Sequence, residues 1–187
     1  MSEVQGTQAD RLEVSERIET RWAMTMFAII VLLLGMVVFT AVHYAAMPPS
    51  RVEVVDVRTL HLAGEFVESN LGTAIDSQGN VTVRVLGEQY AFHPNCLVVP
   101  EGVPVTFRGT SGDVVHGFQI MGTNSNSMLV PGYVSTFITT LNGVGERTMP
   151  CHEFCGVGHA SMWARVKVVP LPDFEKLART QRRVSCV

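Results

Sequence analysis

The run Cys151-His152-Glu153-Phe154-Cys155-Gly156-Val157-Gly158-His159-Ala160-Ser161-Met162 brings thiol, imidazole and thioether donors into twelve consecutive residues. Pro150 before it and the glycines at 156 and 158 within it disfavour a helix. Directly after it, Ala164-Arg165-Val166-Lys167-Val168-Val169 alternates apolar and polar residues as a strand does. The run therefore reads as a loop between two strands, folded round a metal.

The donor types narrow the metal. Cys and Met are soft ligands that favour copper, whereas imidazole serves copper, zinc, iron and nickel alike. A structural zinc site closes with four Cys or His ligands and has no use for a Met. A single blue-copper centre takes two His, one Cys and a weak axial Met. A second Cys makes this run richer in sulfur than one copper needs, so the donors suit two coppers that share two bridging thiolates. Two thiolates offset most of the copper charge, which keeps burial of the site inexpensive. The missing imidazole is His116, in Asp113-Val114-Val115-His116-Gly117-Phe118, on a separate strand end. Taken alone it would be an ordinary hydrogen-bonded histidine. Met162 is the axial donor, and the backbone carbonyl of Glu153 lies between the two thiolates. His152, next to Cys151, is expected to point outward as a surface or docking residue. His43, His61 and His93 carry no spacing signal.

Outward from the loop, the chain beyond residue 50 reads as β. Val81–Leu86, Val103–Arg108 and Thr136–Thr140 alternate, and turn signals fall at 77–80, 100–102, 111–112, 130–132 and 141–143. Short strands at this spacing imply a sandwich or barrel, and about 120 residues suffice for one core. Residues 22–47 form an apolar run that could reach roughly 39 Å as a helix, enough to cross a hydrocarbon core of about 30 Å. It is too long for the apolar segment of a cleaved signal, so a retained anchor is expected. Arg11, Arg17 and Arg21 precede it and only Arg51 follows closely, which puts the N-terminus in the cytoplasm. The expected organisation is a cytoplasmic segment (1–21), a membrane helix ended by Met47-Pro48-Pro49 (22–47), a linker with first strands (48–80), the metal-binding domain (81–172) and a C-terminal tail (173–187).

The 187 residues carry a net charge of −3, which argues against nucleic-acid binding. Cys96 opens a strand-like run and reads as a small buried hydrophobe, and Cys186 as a second bystander. The basic stretch 179–183 reads as a solvated tail.

The pattern Cys-x-Glu-x-Cys-x3-His-x2-Met, with a His on an earlier strand, closely resembles the CuA motif of subunit II of cytochrome c oxidases in the haem–copper family. The resemblance implies a mainly β chain with one N-terminal transmembrane helix and a cupredoxin-like Greek-key β-barrel. It implies two copper ions held by His116, Cys151, Glu153, Cys155, His159 and Met162. One membrane helix instead of two, with the runs 113–118, 122–124 and 130–136, looks like the single-helix B-family (ba-type) enzymes. The implied role is electron transfer within a proton-translocating oxidoreductase of the bacterial cytoplasmic (inner) membrane. Electrons would come from a periplasmic cytochrome c or small copper protein and pass to haem in subunit I, this chain having no haem-ligand pattern. The family's aromatic cluster ahead of the site, which in the common type contains Trp, reads Tyr90-Ala91-Phe92-His93-Pro94-Asn95 here, so Tyr90 and Phe92 are the candidates for receiving electrons. Glu19, three residues before Trp22, matches a carboxylate at the mouth of a proton path into subunit I. The competing readings are a CuA subunit of a nitric oxide reductase, a membrane-anchored copper carrier and, as the bland alternative, a zinc-stabilised scaffold.

Overall fold

The computed structural model describes residues 8–44 and 53–186, in two units that divide at residue 50. The first is one continuous helix, α1 (Gln8–Tyr44). It starts well before the apolar run because nothing from Gln8 to Arg21 breaks a helix, and ion pairs such as Arg17–Glu13 one turn apart support it. Its side chains from Glu13 to His43 are unburied, and the span is long and apolar enough to cross a membrane. The expected stop at Met47-Pro48-Pro49 lies outside the described residues.

The second unit is a β domain of two larger sheets and one two-stranded sheet. One sheet runs β1 (Gly72–Ile75), β2 (Val81–Glu88), β5 (Pro104–Ser111), β8 (Ser135–Thr140), with β3 (Ala91–His93) also paired to β2. The other runs β4 (Cys96–Pro100), β10 (Trp163–Val169), β9 (Gly145–Pro150), and β6 (His116–Gln119) pairs with β7 (Asn126–Leu129). The pairs β2–β5 and β4–β10 are parallel and the other strand pairs antiparallel. Alternation places Val81, Val83 and Val85 of β2 and Ala164, Val166 and Val168 of β10 in one shared core. Phe92, Phe107, Phe118 and Met149 fill the space between. This is the mainly β, cupredoxin-like architecture expected from the sequence.

Two segments fold more tightly than the sequence suggests. Between residues 53 and 71, Leu60, Phe66 and Leu71 bury themselves against Leu86 of β2. Glu65 sits between two guanidinium groups, 2.8 Å from Arg84 and 2.6 Å from Arg108, and Arg108 also reaches Glu53 at 2.6 Å. Burial disfavours the Glu65 charge, but the bonds to Arg108 and Arg84 outweigh it and hold the carboxyl below its ordinary range.

The C-terminal residues are not a solvated tail. Helix α2 (Leu171–Thr180) buries Phe174 completely, and Arg183 bonds to Asn70. Val184 bridges to Thr73 and Ser185 to Leu97. Cys96 and Cys186 are not bystanders either: they form a disulfide across 90 residues. Cys96 is buried as expected, but the bridge was invisible because its partner comes from a segment added at the far end of the chain.

Candidate metal centre

The loop after β9 returns into β10 with its donors turned inward. Cys151, Cys155 and Met162 are 7%, 4% and 0% exposed. Cys151 N–H donates to the Met162 carbonyl (3.0 Å), which closes the loop on itself, and a 3₁₀ turn at His159–Ser161 folds the last part inward. His116 opens β6 and is wholly buried. β6 meets the loop backbone to backbone: Phe118 bridges to Cys151, and His152 N–H donates to the Gly117 carbonyl (2.8 Å). Gly117 is required there, since a Cβ would stand 2.7 Å from the Glu153 nitrogen and the His152 carbonyl carbon.

The two sulfurs are 3.7 Å apart. Each has its own imidazole: His116 Nδ1 lies 3.9 Å from Cys151 Sγ, and His159 Nδ1 lies 3.7 Å from Cys155 Sγ. Each also has its own weaker donor. The Glu153 carbonyl is 3.2 Å from Cys151 Sγ, and Met162 Sδ is 3.7 Å from Cys155 Sγ. Sulfur and nitrogen bound to one ion at about 2.3 and 2.0–2.1 Å stand roughly 3.5–4 Å apart. Each sulfur thus has an imidazole nitrogen and a weaker donor within 3.9 Å, so the six expected donors gather about one sulfur pair. Among the described residues, His116, Cys151 and Cys155 are the one group of His, Cys, Asp or Glu with three ligand atoms within 4.8 Å of one another.

Burial pushes the Cys155 thiol up to about 11, and the neighbouring Cys151 adds to the effect. Two thiolates side by side need a cation, which is what a soft metal supplies. The donor set fits copper.

Two supporting residues escaped the sequence reading. Asp113 accepts from His116 Nε2 at 2.8 Å, leaving Nδ1 to face the sulfurs. Burial opposes the Asp113 charge, yet bonds from His116 and from the backbone N–H groups of Gln89 and Val114 keep its carboxyl below the usual range. Gln89 Nε2 donates to the Cys155 carbonyl at 2.5 Å. An acidic residue three positions before the histidine was the available signal for Asp113; for Gln89 there was none.

The two aromatic candidates separate. Phe92 is fully buried, its ring centroid 6.5 Å from that of His116. Tyr90 is 39% exposed, and its ring lies so close over the loop that a Cβ at Gly158 would come within 2.5 Å of it. His152 is exposed, as expected. Glu19 lies on exposed helix, 3.5 Å from the Ser15 hydroxyl.

Known proteins sort these observations. Residues 82–169 match the family described as cytochrome C oxidase subunit II, periplasmic domain. A cytochrome c oxidase subunit 2 of Thermus thermophilus is 32% identical over 152 residues, 80% of this chain and 90% of that protein. This chain belongs to the cytochrome c oxidase subunit II family. A second Thermus thermophilus subunit 2 is 35% identical over 129 residues, 68% of this chain and 96% of the relative. A chain from a solved haem–copper terminal oxidase dimer aligns with a TM-score of 0.56 at 26% identity, covering 81% of this chain and 99% of its own length. Membership favours an oxidase subunit over the nitric oxide reductase, carrier and scaffold readings. Among the described residues one helix is apolar and long enough to span a membrane, which fits a membrane-anchored subunit.

Proposed function

We propose that this chain holds two copper ions in a binuclear centre and relays electrons from a periplasmic donor to haem in subunit I of a ba-type oxidase. The observation that supports the reading is the gathering of two imidazoles, a thioether and a backbone carbonyl about one pair of sulfurs. When bound, the coppers supply a one-electron couple; the protein's part is to hold it still. Asp113 fixes His116, Gln89 fixes the Cys155 carbonyl, and the β6 contact fixes the loop backbone, so little has to rearrange when charge moves.

Tyr90 is the better candidate for receiving electrons, because Phe92 has no surface. The copper loop also presents exposed apolar groups, Phe154 at 75% and Val157 at 99%, and Val114 and Met128, each about 40% exposed, line one surface hollow with Phe154. A donor would therefore dock mainly by apolar contact, with weak salt dependence. On the helix, Glu19 takes up protons at the cytoplasmic mouth of a path into subunit I, in the inner membrane with the copper domain outside.

Metal analysis and spectroscopy of the full chain in detergent test the centre. Two coppers per chain and an unpaired electron shared over both are expected; one zinc, or one copper with a blue-site spectrum, overturns it. In the whole oxidase, Tyr90→Leu should slow copper reduction by the donor roughly tenfold, as loss of one interface hot spot does. Glu19→Gln should slow oxygen turnover and leave copper reduction unchanged.

A further inference from the structure

We propose that His61, Glu88 and His93, with Glu68 beside them, form a second metal site, for a zinc-type divalent ion, separate from the copper centre. His61 belongs to the segment that precedes β1, Glu88 ends β2 and His93 ends β3. One carboxylate faces both imidazoles: Glu88 Oε1 is 3.0 Å from His61 Nε2, and Glu88 Oε2 is 3.5 Å from His93 Nε2. These groups and Glu68 line one cleft of about 210 Å³, with Leu71 and Leu86 completing its walls. Glu88 packs closely against Gly112, where a Cβ would stand 2.7 Å from Oε1.

Two imidazole nitrogens and a carboxylate are borderline donors that suit zinc, and Glu68 or water can complete a tetrahedron. The geometry is poised and open: these three residues do not yet bring their ligand atoms within 4.8 Å of one another. The side chains of His61 and His93 are 58% and 49% exposed, so rotation about their side-chain bonds is fast and little opposed. A bound ion would clip the segment before β1 to the β2–β3 hairpin. Glu88 and Ala91 pair across that hairpin and flank Tyr90, so the ion would stiffen the support of the ring that lies on the copper loop.

The test uses the full chain in detergent, first loaded with copper and then titrated with zinc alone. One zinc per chain beyond the copper is expected, with a Kd on the order of micromolar. At about a hundredfold excess over Kd it should raise the Tm by roughly 5–10 °C. His61→Ala and His93→Ala should each lose that zinc and the Tm shift while keeping wild-type copper content. Glu88→Gln should weaken binding at least tenfold. The difference between wild type and variant reads this site whatever metal the cysteines hold. No zinc bound at about 100 µM, or zinc and Tm shift unchanged in both histidine variants, would overturn the site and leave the cluster as ion pairs only.

Discussion

The copper loop and the two segments wrapped round the β domain are held by opposite means. At the loop the contacts are buried and short-ranged: sulfur on sulfur, one imidazole fixed by Asp113, and a strand end seated on Gly117. The segments before β1 and after β10 are held by a disulfide, largely buried ion pairs and a few apolar anchors. The first arrangement positions donor atoms through close backbone and side-chain contacts. The second adds stability but is open to pH, salt and reductant. Damage at the loop should therefore remove chemistry and spare the fold, whereas damage to the wrap should do the reverse.

The sharpest break in that contrast comes from the bridging sulfurs. Cys151→Ser or Cys155→Ser should abolish the binuclear spectrum, read by copper content and electron resonance, while the β domain keeps its circular dichroism. Retention of the native spectrum in either variant would refute the sulfur assignment.

On the wrapping side, Cys96→Ala with Cys186→Ala should lower unfolding free energy by about 3–5 kcal/mol, as expected for a closed loop of this length. Urea titration measures it, and the copper spectrum should stay intact. A loss of copper alongside stability would mean that the two regions are one cooperative unit.

Asp113→Asn tests positioning at the copper end. His116 should lose its fixed orientation, and copper affinity should fall about 10–100-fold with less than about 1 kcal/mol of stability lost. Competition with a copper chelator reads the first and urea titration the second.

The smallest effect belongs to Glu65. Its pKa is lowered in the fold, so its stabilisation is present above the unfolded value near 4.3 and is lost as pH falls through the lower folded value. Glu65→Gln should cost roughly 1–2 kcal/mol at neutral pH, discounted for partial exposure. The gap between wild type and variant should close as pH drops below about 5 and should narrow in high salt. A gap that is flat with pH would remove charge from the account of the wrap.

The sequence by itself determined the strand-rich core and named the candidate donors that the fold gathers about the two sulfurs. Six donors could be named because all but His116 lie in one loop whose spacing is local, and because soft ligands restrict the metal whatever the fold. The strands β2, β5, β8 and β10 were legible because alternation is a local signature of a half-buried sheet. Tertiary structure alone decided the rest. The Cys96–Cys186 bridge joins residues 90 apart, and the two ends of a bond at that separation leave no periodic mark on either side. Gln89, the Glu65 pairs and the Phe174 anchor likewise depend on which surfaces meet after the sheets have closed. Tyr90 and Phe92 stand almost side by side in sequence, yet one is 39% exposed and the other fully buried. Only the packing of a ring over two glycines of a distant loop could tell them apart.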